Sequence, residues 1–131
     1  MALQDQQPMA LAGVKVLDLS RILAGPYATQ LFADLGADVV KVENPDGGDD
    51  TRRWGPPFTS KADGGRGDAA YFSACNRNKR SITVDFASKA GADLLRGLAK
   101  TADIIVENFR PGGLQKYGLD YASIAAINPG I

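Results

Sequence analysis

The sequence predicts an α/β fold, a Rossmann-like layered parallel sheet, on three observations. Short apolar runs rich in β-branched residues alternate with longer segments of helical periodicity, as strands and helices do in parallel sheets. Glycine and proline stand at the junctions between these segments. The hydrophobic share of 44% and the charged share of 23% are typical of a folded globular protein.

The first strand–helix–strand unit is predicted between residues 14 and 43. Val14–Ser20 is a short apolar run suited to a strand buried on both faces, and Asp38–Glu43 is the second strand. Pro26 is well placed as the first residue of the intervening helix, which Gly36 ends. The apolar residues at helical spacing are Tyr27, Leu31, Phe32 and Leu35. A length of about thirty residues suits a right-handed crossover between parallel strands.

A second unit of the same kind is predicted further along the chain. Ser81–Phe86 alternates like a strand, Ser88 can cap the helix that follows, and Asp103–Glu107 is the next strand. The expected buried face of that helix consists of Ala90, Leu94, Leu95 and Leu98. Two short helical pieces, residues 114–117 and 121–127, follow a break.

The two units define the expected domain organisation. Residues 44–70, between them, are rich in glycine and proline and are predicted to form a long loop, whose aromatic and charged part, residues 48–58, favours a functional role. Four predicted strands make an open sheet with unpaired edges. We therefore expect residues 11–131 to be part of a Rossmann-like domain that further strands complete, and residues 1–10 to be a disordered lead-in.

The charge balance and the cysteine content exclude several classes of function. Fifteen basic and fifteen acidic residues cancel, which gives no reason to expect nucleic acid or an anionic membrane as a partner. No apolar run approaches the ~20 residues that span a bilayer, and residues 1–10 contain no Lys or Arg, so we expect a cytoplasmic protein. Cys75 is the only cysteine and the sequence contains no histidine. We expect Cys75 to be a small buried side chain in a turn region rather than a nucleophile.

Three segments carry side chains that could bind a ligand. Residues 20–26 form the first strand-to-helix turn, where doubly wound folds bind anions. Residues 76–81 include three cations in four positions that could face phosphates, and residues 106–113 follow another strand. Taken alone each is weak, since the first could be an ordinary turn and the second a solvated basic hairpin. We expect all three at one edge of the sheet, which favours a shared ligand site.

Neither a nicotinamide or flavin cofactor nor a metal ion is expected at this edge. Glu43 stands at the end of the second predicted strand, the position from which an acidic residue binds the ribose of NAD in dinucleotide-binding folds. The turn, however, contains a single glycine, Gly25, instead of three at the spacing that a dinucleotide requires.

Five motifs, in this order and at this spacing, carry a resemblance to a known family. They are residues 11–19 (LAGVKVLDL), 24–26 (AGP), 35–43 (LGADVVKVE), 78–81 (NKRS) and 107–112 (ENFRPG). Together they resemble the amino-terminal part of the class III CoA-transferases, the family that includes formyl-CoA transferase and α-methylacyl-CoA racemase. The resemblance covers residues 11–131.

The resemblance implies that coenzyme A or acyl-CoA lies across the carboxyl edge of the sheet. The residues implied to contact it are Leu23, Ala24, Asn44, Val84, Asp85, Phe86, Ala87, Asn108, Phe109, Arg110 and Lys116. Residues 23–24 line the first turn, residues 84–87 border the adenosine, and residues 108–110 follow the pantetheine and the phosphates, with the charge of Lys116 nearby.

Two positions depart from the family pattern. Asn44 stands where the family has an arginine, and Ala87 stands where it has a lysine. The cations that could compensate for them are Lys41, Arg80 and Lys89.

The resemblance also implies covalent catalysis by an aspartate that attacks the acyl-CoA thioester. That aspartate is expected after residue 131, so no catalytic residue is assigned here, and the aspartates of the predicted strands and helices are expected to be structural. They are Asp18, Asp34, Asp85 and Asp103. We expect the chain alone to be inactive.

The expected function is that of an acyl-CoA:carboxylate CoA-transferase, a homodimer in its full-length form, with acyl-CoA and a carboxylic acid acceptor as its partners. Residues 48–58 resemble members that move CoA between dicarboxylic acids, such as succinate donors. Two alternatives stay open: an acyl-CoA racemase of the same family, and a short non-catalytic CoA-binding protein.

Overall fold

A computed structural model describes residues 9–131 of the chain. Its elements, in chain order, are β1 (Lys15–Asp18), α1 (Ala24–Asp34), β2 (Asp38–Glu43), a 3₁₀ helix (Asp50–Arg53), β3 (Phe58–Ser60), β4 (Arg66–Ala69), α2 (Ala70–Asn76), β5 (Arg80–Thr83), α3 (Lys89–Ala99), β6 (Ile104–Val106), a second 3₁₀ helix (Gln115–Tyr117) and α4 (Tyr121–Ala125). Four strands form a parallel sheet in the order β5-β2-β1-β6, and β3 pairs with β4 in a separate antiparallel hairpin. The predicted α/β class with a parallel sheet is confirmed.

The first unit follows the sequence prediction closely. Strand β2 has the predicted bounds. Helix α1 begins at Ala24, two residues before the predicted start at Pro26, and its C-cap is Leu35. Gly36 then has a φ of 97°, a conformation that glycine adopts without a steric penalty, so it ends the helix as expected.

The buried face of α1 differs from the apolar pattern of its sequence. Tyr27, Leu31 and Leu35 are 45–52% exposed, whereas the buried residues of the helix are Gly25, Pro26, Thr29, Gln30 and Ala33. The reason is that the inner face covers polar groups. The Thr29 hydroxyl donates to Asp18 Oδ2 at 2.6 Å, and the Gln30 side chain accepts from the Arg77 N–H at 3.1 Å.

The second unit has the predicted order with shorter elements and a shifted helix face. Strand β5 ends at Thr83 instead of Phe86, because Asp85 forms a turn in which its carboxylate accepts from the Ala87 N–H at 3.0 Å. The Ser88 cap is confirmed: its Oγ accepts from the Gly91 N–H at 3.1 Å. Leu95 is fully buried as expected.

Three other predicted core positions of α3 are wrong. Ala90 is exposed, and Leu94 and Leu98 are 52% and 36% exposed. The residues that face the sheet with Leu95 are Gly91, Ala92 and Ala99. A Cβ at residue 91 would lie 2.0 Å from the Asp85 carbonyl oxygen, so only glycine permits this close approach and the helix is rotated accordingly.

The segment between the two units is more ordered than the predicted loop. It contains the 3₁₀ helix of residues 50–53, the β3–β4 hairpin and the start of α2, which packs against α1. Cys75 is buried as expected, but it lies in α2 and not in a turn region. The expected lead-in of residues 1–10 falls outside the described residues except for Met9 and Ala10.

Apolar side chains cover both faces of the sheet. Val16 and Val39 pack with α1 on one face. Leu17, Leu19 and Val42 pack with α3 and α4 on the other face. Because the four strands are parallel, the segments that follow them all leave from one edge, which we call the carboxyl edge. Within residues 9–131, no helix is both long and apolar enough to cross a membrane.

Candidate functional site

Two of the loops at the carboxyl edge are joined by a pair of hydrogen bonds. The Arg21 N–H donates to Asn108 Oδ1 at 2.9 Å, and Asn108 Nδ2 donates to the Arg21 carbonyl at 2.8 Å. Arg21 belongs to the turn after β1, and Asn108 follows β6. The structure therefore brings together two of the three segments that the sequence singled out.

A small cleft of about 60 Å³ lies beside this junction. Its walls are formed by Leu19, Arg21, Val42, Glu43, Asn44, Gly48, Asp49, Phe86 and Phe109. These residues lie at the end of β2 or follow β1, β2, β5 and β6, so the carboxyl end of every strand of the parallel sheet is represented. The cleft contains three of the residues expected to contact a ligand, namely Asn44, Phe86 and Phe109.

Aromatic rings extend from the cleft toward the second 3₁₀ helix. The Phe86 ring packs edge to face on Phe109, with ring centroids 5.6 Å apart, and on Tyr117, with centroids 5.3 Å apart. Lys116 Nζ lies 4.7 Å from the centre of the Tyr117 ring. This arrangement presents flat apolar surface next to a cation, a combination suited to a nucleotide base or a pantetheine chain followed by phosphate.

Beneath the cleft, a buried ion pair connects the turn after β1 to the loop after β2. Lys41 Nζ lies 2.9 Å from Asp49 Oδ2 and donates to the Ser20 carbonyl at 3.0 Å, and both charged side chains are 1% exposed. The Asp49 carboxylate also accepts from the Ile22 N–H at 3.2 Å. Burial raises the pKa of Asp49, but the hydrogen bonds from Lys41 and Thr51 outweigh it and hold the pKa below its ordinary value.

A second buried pair supports the same turn from the α1 side. Lys79 Nζ lies 3.0 Å from Asp18 Oδ2 and donates to the Pro26 carbonyl at 2.8 Å. Asp18 accepts from the Ser20 N–H at 3.0 Å and from the Ser20 hydroxyl. Burial lowers the pKa of Lys79, and the charge of Asp18 opposes that shift.

Glu43 anchors the inserted segment at the end of β2. Its carboxylate accepts from Arg52 Nη2 at 2.6 Å and from the Ser81 hydroxyl at 2.5 Å, and Arg52 also pairs with Asp68 at 2.5 Å. Burial raises the pKa of Glu43, but these donors and the Asp49 N–H outweigh it and lower the pKa to about 2. Glu43 is thus an anion that joins the end of β2 to Arg52 and Ser81.

Comparison with known proteins identifies the family. The sequence profile of CoA-transferase family III matches residues 11–131. The chain belongs to CoA-transferase family III. The family predicted from the five motifs is thereby confirmed.

Relatives within this family are close in sequence and in structure. The chain is 57% identical over 119 residues to succinate–glutarate CoA-transferase of Agrobacterium fabrum, covering 91% of this chain and 30% of that protein. It is 48% identical over 121 residues to succinyl-CoA:glutarate CoA-transferase of Homo sapiens, covering 92% and 26%. A CAIB/BAIF family protein from Brucella suis superposes with a TM-score of 0.87 at 59% identity, covering 93% of this chain and 32% of that chain. The chain therefore spans less than a third of the length of these relatives.

The remaining residues that the family resemblance implicated lie in different surroundings. Leu23 is 46% exposed, and Ala24 starts α1 beside it. Val84 is buried in the core and does not line the cleft. The Asp85 carboxylate is engaged with the Ala87 N–H. Arg110 lines a separate cavity of about 540 Å³ along the outer side of β6.

The basic segment of residues 76–81 does not line the cleft, although the Lys79 side chain reaches the start of α1. It leads into β5, so it lies at the amino ends of the strands. Its three cations are all paired: Arg77 with Asp34 at 2.5 Å, Lys79 with Asp18 at 3.0 Å, and Arg80 with Asp38 at 2.6 Å. The prediction of a phosphate-facing patch at the shared edge is therefore wrong, and the alternative of a solvated basic hairpin does not describe the buried Lys79 either.

Three cations could replace the arginine and the lysine that the family has at positions 44 and 87, and Lys89 is the one of them that is exposed at the carboxyl edge. Lys41 is buried against Asp49, and Arg80 lies at the opposite end of the sheet. Lys89 is 89% exposed at the start of α3, and within residues 9–131 its one ion-pair partner is Asp93.

Arg21 belongs to the predicted ligand-binding turn but was not among the predicted contact residues; it lines the cleft, with its side chain 49% exposed and paired with Asp50 at 2.5 Å. Sequence reasoning missed the buried pair of Lys41 and Asp49. A signal for that pair was present, because a lysine within a strand predicted to be buried needs an anionic partner.

Proposed function

We propose that these residues form the CoA-binding edge of an acyl-CoA:carboxylate CoA-transferase. The 57% identity to succinate–glutarate CoA-transferase over 91% of the chain carries the proposal. A cleft at the carboxyl ends of all four parallel strands supports it, because open α/β sheets bind their ligands at that edge.

In this proposal the cofactor end of acyl-CoA follows the loops in order. Leu23 and Ala24 contact it at the start of α1, where the free N–H groups favour an anion. The rings of Phe86 and Phe109 supply apolar surface, and Asn108 and Arg110 follow the pantetheine and the phosphates. The other cationic side chains proposed to face the phosphates are Arg21, Lys89 and Lys116.

The chemistry we infer is CoA transfer through an aspartyl intermediate. An aspartate outside these residues attacks the thioester carbonyl and expels CoA thiolate, which leaves a mixed anhydride. The thiolate then attacks the aspartyl carbonyl of that anhydride, which releases the donor carboxylate and leaves an aspartyl-CoA thioester. Attack by the acceptor carboxylate repeats the sequence in reverse. In this proposal residues 11–131 bind CoA and do not transfer it alone.

Dicarboxylic acids are the proposed substrates. The relatives from Agrobacterium fabrum and Homo sapiens carry succinate or succinyl-CoA and glutarate in their names, and relatives from Chloroflexus aurantiacus carry citramalate and malate. We propose succinyl-CoA as the donor, and a cytoplasmic homodimer as the working form.

A transfer assay tests the activity. The protein expressed in full from its gene is incubated with succinyl-CoA and glutarate, and glutaryl-CoA formation is followed by liquid chromatography and mass spectrometry. We expect glutaryl-CoA and free succinate in equal amounts. Racemisation of a 2-methylacyl-CoA without transfer to any dicarboxylate would replace this proposal with the racemase alternative, and CoA binding without either reaction would favour a non-catalytic protein.

A matched pair of arginine variants tests the site. Arg21 and Arg77 have similar exposure, 49% and 56%, and each pairs with one surface aspartate, but they lie at opposite edges of the sheet. We expect Arg21→Gln to weaken CoA binding about tenfold, as the loss of one charge-assisted contact does, and Arg77→Gln to leave it unchanged. Isothermal titration calorimetry with CoA measures both. Equal effects of the two variants would argue against the carboxyl edge as the site.

A further inference from the structure

The buried pair of Lys41 and Asp49 connects the two loops that frame the cleft. Lys41 Nζ bonds to Asp49 and to the Ser20 carbonyl, and Asp49 accepts from the Ile22 N–H. We propose that Lys41 and Asp49 are positioning residues, which hold the turn after β1 in the form that binds CoA. This inference rests on the proposed function, since CoA is the ligand that the turn would contact.

The turn needs such support because of its backbone conformation. Ile22 has a φ of 70°, a left-handed conformation that is unfavourable for a β-branched residue. Its N–H points at the Asp49 carboxylate, 3.2 Å from Oδ2 and 3.3 Å from Oδ1. Without that acceptor, Ile22 would relax to a negative φ. Such a change would redirect Leu23, the next residue, and the start of α1.

The same carboxylate also holds the other loop. Asp49 Oδ1 accepts from the Thr51 N–H at 3.0 Å and from the Thr51 hydroxyl at 2.7 Å. With Lys41 and Ile22, the carboxylate therefore has four donors, which use its full capacity as an acceptor. The pair is thus a clamp between the turn after β1 and the loop after β2.

A contribution to stability does not by itself explain why this pair is buried. Two charges that are each 1% exposed have lost their hydration, and a buried ion pair is often no more stabilising than apolar residues of the same volume. An ion pair does, however, demand a defined geometry from the groups it bonds. That property suits a positioning role at the rim of a binding cleft.

The experiment separates positioning from stability by removing both charges together. In Lys41→Met/Asp49→Ala no lone ion stays buried, but Ile22 loses its acceptor. In Lys41→Met/Asp49→Asn the amide oxygen replaces that acceptor. Val39→Ala is the control for loosening of the fold. Val39 is 1% exposed, lies in the same strand as Lys41, and packs against α1 on the face of the sheet opposite Leu19 and Val42 of the cleft.

All variants are made in the protein expressed in full from its gene. CoA affinity is measured by calorimetry, the melting temperature by calorimetric scanning, and exchange of the Ile22 amide hydrogen by NMR or mass spectrometry. We expect the Met/Ala variant to bind CoA about tenfold more weakly, equivalent to about 1.4 kcal/mol, with faster exchange at Ile22. The Met/Asn variant should recover most of the affinity, and Val39→Ala should bind CoA like the wild type.

Several results would overturn the inference. One is wild-type CoA affinity in a folded Met/Ala variant; another is an equal loss of affinity in Val39→Ala. If the Met/Ala variant does not fold, the Met/Asn variant is the test. Slow exchange of the Ile22 amide hydrogen and near-normal CoA affinity would support the clamp. Fast exchange or a full loss of CoA affinity would contradict it. If the wild-type protein does not bind CoA at all, the proposed function fails. Unchanged exchange at Ile22 in a folded Met/Ala variant contradicts the clamp independently.

Discussion

The two strand–helix–strand units of this chain are held together by different interactions. In the unit of β1, α1 and β2, and in the segment inserted after it, charged and polar side chains are buried. They are Asp18, Ser20, Thr29, Gln30, Lys41, Glu43, Asp49, Thr51 and Asn76. Among the described residues after Lys79, no charged or polar residue is buried, and the core there consists of Leu95, Ala99, Leu114, Leu119 and Ile124 with their neighbours.

The ion pairs show the same contrast. Lys41–Asp49 and Lys79–Asp18 have side chains that are at most 1% exposed. In the second unit, Lys89–Asp93 and Arg96–Asp93 lie at the surface of one helix. Apolar burial stabilises a unit without demanding one geometry, whereas buried charges impose directions on the groups around them. The unit with the buried charges is the one whose turn frames the cleft.

The largest effect is expected from breaking one buried pair. Lys41→Met leaves the Asp49 carboxylate buried without its cation, so the free energy of unfolding should fall by about 3–5 kcal/mol. Urea denaturation followed by circular dichroism measures it. The control is Lys89→Met, which removes an exposed pair of the second unit and should cause no measurable change. Similar losses in the two variants would remove the distinction between the units.

Apolar truncation should be the most damaging change in the second unit. Leu95 is fully buried between α3 and the sheet, so Leu95→Ala should lower the free energy of unfolding by about 3–4 kcal/mol through lost contacts and a cavity. The adjacent Leu94 is 52% exposed, and Leu94→Ala should have a much smaller effect in the same urea titration. A larger loss of unfolding free energy in Leu94→Ala than in Leu95→Ala would contradict the burial of the Leu95 face of α3.

The sequence allowed the sheet to be predicted more accurately than the faces of its helices. Strand β2 was predicted to the residue because Gly36 precedes it and a loop rich in glycine and proline follows. The rotation of α3 could not be predicted, since it depends on the contact of Gly91 with the Asp85 carbonyl. Helix α2 was missed because its seven residues, AYFSACN, include few strong helix formers, and it packs against α1.

Of the three segments predicted to meet at one edge of the sheet, two lie together there. Topology alone brings the turn after β1 and the loop after β6 to one edge, as the bonds between Arg21 and Asn108 show. The basic segment was misplaced because it precedes a strand and so belongs to the opposite edge. The Lys79–Asp18 pair joins residues 61 positions apart, and a sequence does not indicate which distant partner a charge has.

Acid should weaken the first unit through Glu43. The pKa of Glu43 is about 2 in the folded chain against an ordinary value of 4.5. Its stabilising contribution of about 3 kcal/mol is therefore complete above pH 4.5 and is lost as the pH falls toward 2. We expect Glu43→Gln to be less stable than the wild type at pH 7 and the difference to shrink by pH 2.5, measured by urea denaturation at each pH. A difference independent of pH would show that the Glu43 charge has no role.

The smallest effect is expected at the cap of α3, where the second unit does use a polar side chain. Ser88 Oγ accepts from the Gly91 N–H at 3.1 Å and donates to the Asp85 carbonyl at 2.6 Å, in a part-exposed position. Ser88→Ala should lower the free energy of unfolding by about 1 kcal/mol, and Ser88→Asp should keep most of it, because an aspartate also caps a helix and its charge is favourable there. Urea titration measures both variants. A loss of unfolding free energy as large as that of Lys41→Met would mean that polar contacts stabilise the two units equally. Burial of charge would then not distinguish the unit beside the cleft.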